Sequence, residues 1–195
     1  MARSSKSRSR QSQLRIIGGQ WRSRRLNFTP SPGLRPTTDR VRETLFNWLG
    51  PTVPGASCAD LFAGSGALGL EALSRGADHC DFVDTSAAAI EQIEAHLGTL
   101  DASQRGGCHR MPADRFLKST SAAWDLVFVD PPFGMDLVNP TLMLLEEENL
   151  LHDEARIYVE TAPQDPAPQV PAHWSLHREK KAGGVIYRLF TARGE

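Results

Sequence analysis

From Ser57 onward the chain alternates short apolar runs with longer stretches of helical periodicity, and that alternation is the strongest constraint on its fold. Strands are predicted over 57–62, 79–84, 107–111, 124–130 and 155–160, with helices over 68–75, 86–97, 113–117 and 137–147. Strands that trade places regularly with helices build a parallel sheet from β-α-β units, each crossover helix covering one sheet face. A link rich in proline (Pro163, Pro166, Pro168, Pro171) leads to two further runs, 174–180 and 184–191, which read as a closing hairpin. The expected class is α/β, with one domain over 51–195.

Upstream the pattern differs. Residues 1–13 are Ser, Arg, Lys and Gln with almost nothing apolar, and are expected to form a disordered basic tail. Residues 14–17 and 21–28 read as a short hairpin with Gly18-Gly19 near its turn. Three prolines and a glycine make 29–36 a loop, after which Thr37 or Thr38 can cap a helix running to about Leu49. Segment 14–50 is therefore a hairpin-and-helix extension of the sheet domain.

Charge is divided along the same line. The net charge is −1, yet residues 1–42 hold 11 of the 22 Lys and Arg against the single acid Asp39, leaving 11 basic and 22 acidic residues beyond. A basic arm on an acidic body is the distribution of a protein that meets a polyanion with one end. Arg15, Arg22, Arg24, Arg25, Arg35, Arg40 and Arg42 are its candidate phosphate contacts. Cys58, Cys80 and Cys108 have neither disulfide-framework nor zinc-site spacing, and no run approaches the roughly 20 apolar residues of a membrane span. No metal is called for, and the expectation is a soluble cytoplasmic protein, a monomer with no membrane partner.

Two motifs carry chemistry. Asp60-Leu61-Phe62-Ala63-Gly64-Ser65-Gly66-Ala67-Leu68-Gly69 leaves a predicted strand, turns on glycines and enters a helix. Such a turn lets backbone approach a ligand closely and presents helix-start amides to it. Asp60, at the strand end, is badly placed against a pyrophosphate and well placed against the ammonium of a methionine moiety. Asp84 ends the next strand and suits ribose hydroxyls, and Asp114 after the third can accept from an adenine amino group. Asp60, Phe62, Gly64, Ser65, Gly66, Asp84 and Asp114 are thus the candidate S-adenosyl-L-methionine site.

The second motif, Asp130-Pro131-Pro132-Phe133, follows the apolar strand Val127-Phe128-Val129. An exocyclic amine on a base is a poor nucleophile because its lone pair is delocalised into the ring. Accepting both amine hydrogens, at the Asp130 carboxylate and the Pro131 carbonyl, localises that pair, and the two prolines hold the backbone rigid. Phe133 offers a face for a base swung out of its stack. On residues alone, adenine in DNA and glutamine in a protein also present a planar amine to such a loop. A nicotinamide-dependent dehydrogenase using Gly64, Gly66, Gly69 and Asp84, or a noncatalytic RNA-binding protein, are readings from other classes.

The stretches Asp60 to Glu71, Arg35-Pro36-Thr37-Thr38-Asp39-Arg40-Val41-Arg42-Glu43-Thr44-Leu45-Phe46-Asn47 and Val129 to Phe133 together resemble the RsmD family. The resemblance runs from about Leu14 to the carboxyl end and includes Arg15-Ile16-Ile17-Gly18-Gly19 and Trp174-Ser175-Leu176-His177-Arg178-Glu179. It implies a Rossmann-like class I methyltransferase with a mostly parallel seven-stranded sheet, an antiparallel last strand and an N-terminal hairpin and helix. It further implies methyl transfer from S-adenosyl-L-methionine, leaving S-adenosyl-L-homocysteine, to the N2 amine of a guanine in 16S ribosomal RNA. The substrate would be an assembled or assembling 30S subunit. The Arg-Pro-Thr segment, with Thr37, is implied to lie near the cofactor. Family members often carry Glu where this chain has Asp84, a difference of one methylene.

Overall fold

The computed structural model describes residues 12–29 and 38–192. Two strands, β1 (Ser12–Arg15) and β2 (Arg25–Phe28), pair antiparallel, and helix α1 (Asp39–Leu49) follows. Thr38 caps α1, its hydroxyl accepting from the Val41 amide at 3.4 Å. The remaining strands are β3 (Ser57–Asp60), β4 (His79–Asp84), β5 (Gly106–Arg110), β6 (Trp124–Val129), β7 (Leu151–Thr161), β8 (Ser175–Ala182) and β9 (Val185–Thr191). Helices α2 (Ala67–Ser74), α3 (Ala87–Thr99), α4 (Ala113–Ser119) and α5 (Val138–Glu147) alternate with them.

These seven strands form one sheet in the order β5-β4-β3-β6-β7-β9-β8. All the pairings are parallel except those of β9, which runs antiparallel to both neighbours. After β5 the chain returns to the far side of β3 to lay down β6, so the order reverses between β3 and β6. Loops there diverge and leave a crevice at the carboxyl ends of the strands.

Alternating side chains divide the core into two layers, as the pleat requires. Cys58, Phe82, Leu126, Phe128 and Tyr158 face one way, toward α1, α2, α3 and the β1-β2 pair. Ala59, Val83, Val127, Val129, Ile157 and Val159 face the other, toward α4 and α5. Leu14, Ile16, Trp21, Leu26 and Phe28 of the arm belong to the first layer. The arm therefore shares the sheet domain's core.

Several boundaries differ from the sequence reading for identifiable reasons. Strand β1 starts at Ser12, inside the segment expected to be disordered, because Ser12 and Gln13 pair with Phe28 and Asn27. Gly18-Gly19 lies near the turn as expected, at its edge: Arg22 N–H donates to the Gly19 carbonyl at 3.2 Å. The connection between β1 and β2 bends over the end of α2, where a Cβ on Gly19 (φ 75°) would sit 1.8 Å from the Ser74 carbonyl oxygen. Trp21 lies buried in this connection rather than in a strand. β7 begins at Leu151, four residues before the apolar run, and is accommodated by a register shift between Trp124 and Leu126. Among the described residues no helix is long and apolar enough to cross a membrane.

Candidate active site

The crevice at the sheet's reversal point is a cleft of about 630 Å³, within the range usual for small-molecule sites. Asp60 enters it from the end of β3, Asp84 from β4, Asp114 from the start of α4 and Asp130 from the end of β6. Phe62, Gly64, Ser65, Pro131, Pro132 and Phe133 also line it. The two motifs, seventy residues apart in sequence, thus share one cavity.

The glycine turn is pinned from below. Leu61 donates to the Phe128 carbonyl at 3.1 Å and Ala63 to that of Val83 at 2.9 Å, which ties the turn to β6 and β4. Asp84 holds it from the side: Gly64 N–H donates to Oδ2 at 2.9 Å and Ser86 N–H to Oδ1 at 2.8 Å. Ser86 in turn caps α3. A carboxylate has about four lone-pair sites, so these two bonds orient Asp84 and leave acceptor capacity toward the cleft.

Asp60 is buried, and among the described residues its carboxylate accepts one hydrogen bond, from Gly69 N–H at 3.0 Å. Burial pushes its pKa up to about 7, with the Asp84 charge adding to the rise and the Gly69 bond opposing it. A buried carboxyl on a cleft wall, short of donors, is the group a cationic ammonium would complete. A buried acid short of donors beside a second acid with spare acceptor sites is a donor set that fits S-adenosylmethionine.

Gly66 departs from the expectation. It does not line the cleft but starts α2 in the left-handed region (φ 76°), and a Cβ there would press on Ile93 and Leu70 at 3.0 and 3.1 Å. Its glycine serves the turn's packing. Thr37 and Arg35 lie outside the described residues.

At the other end of the cleft, Asp130 is half-buried and Pro131 buried, while Phe133 is 38% exposed. A second cleft, of about 250 Å³, adjoins the first, and Pro131, Pro132, Phe133, Leu137, Pro140 and Glu160 line both. Glu160, buried near the end of β7, is absent from the sequence-based set. A strand-end acid with no accompanying motif gives a sequence reader no signal.

Of the basic residues, Arg15, Arg22, Arg24, Arg25 and Arg40 are exposed, Arg15 being paired with Asp39 at 2.9 Å. Strand β2 runs along α3 toward the cleft, since Asn27 O meets His96 Nε2 at 3.0 Å and Thr29 N–H meets Gln92 Oε1 at 3.2 Å, one turn nearer the end where Ser86 lines the cavity. Arg42 corrects the sequence reading: it is 1% exposed and unable to reach a phosphate from this position. Its Nη2 donates to Asp39 at 2.6 Å and to the Arg15 carbonyl at 2.9 Å, and its Nη1 lies 3.6 Å from the fully buried Glu71. Periodicity could have found this, because Arg42 falls on the buried stripe of α1 with Val41, Leu45 and Phe46.

The family model described as conserved hypothetical protein 95 matches residues 14–191. The chain is 53% identical to ribosomal RNA small subunit methyltransferase D of Escherichia coli (strain K12) over 185 residues, 94% of this chain and 93% of that protein. A solved structure of yhhF from Escherichia coli superposes with a TM-score of 0.84 at 52% identity, covering 94% of this chain and all of that one. The fold recurs at 13% identity in SMU.776, solved with SAH, with a TM-score of 0.70 over 96% of this chain and 57% of that one.

Proposed function

The chain belongs to this family, the RsmD family of methyltransferases, and from that premise we propose that it methylates the N2 amine of a guanine in 16S ribosomal RNA. The observation that carries the reading is the meeting of Asp60 and Asp84 with Asp130–Phe133 in one cleft. S-adenosylmethionine, when bound, supplies a methyl on a cationic sulfur that leaves as the neutral thioether of S-adenosylhomocysteine.

The protein's own residues do the rest. Asp60 would balance the ammonium and Asp84 would hold the ribose, in the same cleft that the proline loop lines. The target base leaves its stack and lies on Phe133, a contact worth roughly 1–3 kcal/mol in single-strand binders. Asp130 and the Pro131 carbonyl accept the two amine hydrogens and free the nitrogen lone pair for the methyl that S-adenosylmethionine would supply. The extra proton on nitrogen passes to Asp130 or to water. The exposed arginines Arg15, Arg22, Arg24, Arg25 and Arg40 are proposed to hold RNA phosphates together with Arg35, and Thr37 to lie at the cofactor. In this reading the protein is a cytoplasmic monomer whose substrate is the assembled or assembling 30S subunit.

The test is labelled methyl transfer to unmethylated small subunits and to free RNA, with nucleoside mass spectrometry of the product. Wild-type protein is expected to yield N2-methylguanine, and Asp130→Ala to lose transfer by at least about a hundredfold while binding S-adenosylhomocysteine normally in calorimetry. Label on neither substrate, or full activity in the variant, would refute the reading.

A further inference from the structure

We infer that Glu160 reads the N1–H of the target guanine and so sets the choice of base, an inference that rests on the guanine reading above. Glu160 is the one β7 side chain that lines the cleft shared by the two motifs, and it lies on the wall between that cleft and its smaller neighbour. Its strand neighbours the one that ends in Asp130, so the two carboxylates approach the same end of the cavity from adjacent strands.

Tyr158 gives that carboxylate a fixed direction. Two residues earlier on β7 it shares the face of Glu160, and its hydroxyl donates to Oε2 at 2.7 Å. Burial first, then the Glu160 and Asp130 carboxylates, hold the phenol well above its ordinary pKa range, so it remains a donor. The Tyr158 bond is one of the contacts that fix this carboxylate's direction, and a carboxylate can accept at about four sites.

The chemistry then selects among bases. With the N2 amine held by Asp130 and Pro131, the adjacent donor on the same edge of guanine is N1–H, and a second carboxylate alongside suits it. Adenine and 2-aminopurine carry a lone pair at N1 instead, and it would face the Glu160 oxygens. A site that buries an acceptor for one substrate donor rejects the analogue lacking it far more strongly than shape alone would. The proline loop recognises a planar amine, and Glu160 is what makes that amine guanine's.

The experiment uses small subunits reconstituted with ribosomal RNA carrying either guanine or 2-aminopurine at the nucleotide the wild-type protein methylates. Wild-type protein should favour guanine by at least about a hundredfold in kcat/KM. Glu160→Gln can present either a carbonyl or an amide N–H, and should bring the two substrates within about tenfold. Fluorescence of the 2-aminopurine subunit, titrated without any turnover, should show tighter binding to Glu160→Gln than to wild type. Should that variant fail to fold, Tyr158→Phe removes only the orienting hydroxyl and should narrow the same ratio. If the variants slow both substrates equally and leave the ratio and fluorescence unchanged, Glu160 merely supports Tyr158 and the inference is overturned. Failure of wild-type protein to methylate guanine at all would overturn the parent reading, and this one with it.

Discussion

Among the described residues, Glu71 is a fully buried carboxylate on which the arm and helix α2 converge. It sits in α2 with no exposed surface, accepting from the Ile17 and Gly18 amides at 2.8 Å each and from Arg75 Nε at 2.7 Å, with Arg42 Nη1 at 3.6 Å. Glu71→Ala leaves two half-buried amides without an acceptor, at up to about 1–3 kcal/mol each, and leaves the buried Arg42 guanidinium with Asp39 as its remaining carboxylate. Removing one partner of such a pair costs on the order of 3–5 kcal/mol, and because the terms share atoms they do not add. A loss of about 4 kcal/mol corresponds to a fall in Tm of roughly 8–16 °C for a chain of this length. Arg42→Met should be milder, below about 2 kcal/mol, since Glu71 keeps its three shorter donors and the half-exposed Asp39 is left to water. Urea unfolding of both variants, with amide exchange at Ile17 and Gly18, measures the difference. A cost below about 1 kcal/mol for Glu71→Ala, or a larger one for Arg42→Met, would refute this account of how the arm is held.

Two further outcomes follow from the site. Asp60 has a folded-state pKa of about 7 against 3.8 unperturbed, so between those values the folded protein holds a proton that the unfolded chain does not. Its contribution to stability is complete below pH 3.8 and falls away as pH rises toward 7. A cationic ligand favours the ionised form, so affinity for S-adenosylhomocysteine should rise up to tenfold per pH unit below about 7 and level off above. Calorimetry at pH 6 and 8 checks it, and a dependence that persists in Asp60→Asn would assign the effect elsewhere. Replacing Arg22, Arg24 and Arg25 together by alanine should weaken RNA binding and reduce the slope of log affinity against log salt by about 0.7–0.9 per lost contact; an unchanged slope would remove the hairpin from the RNA interface.

Much of this was legible in sequence because the rules involved are local. The period of apolar residues located each strand and α-helix of the sheet domain but not the short 3-10 turn Ser103–Arg105, and the glycine turn and proline loop announced themselves by composition. Local rules fail where an interaction joins distant segments. Gly18-Gly19 has the sequence of a turn and flanks one, but what also demands glycine at Gly19 is its close approach to Ser74, 55 residues on by numbering. Arg42 has the look of a phosphate ligand in a basic segment, and becomes structural only when Glu71 arrives beneath it. Glu160 carries no motif, and only the pairing of β6 with β7 sets it beside the proline loop.

Helix α2 explains why the arm and the sheet domain form one unit. All eight of its residues are buried, so it has no face to spare: one side covers the sheet and the other receives the arm. Gly69 donates to Asp60 of the cofactor turn, and two residues later Glu71 accepts from Ile17 and Gly18 of the arm. A shift of α2 large enough to free the arm would break the bond that orients Asp60, and a rearrangement at Asp60 would be felt within one helical turn at Glu71. The basic hairpin and the glycine turn that carries Asp60 are thus positioned by the same short element. An arm attached only through a linker would need no such agreement, and the family match that begins at Leu14, inside β1, rather than at the sheet domain is what a shared core requires.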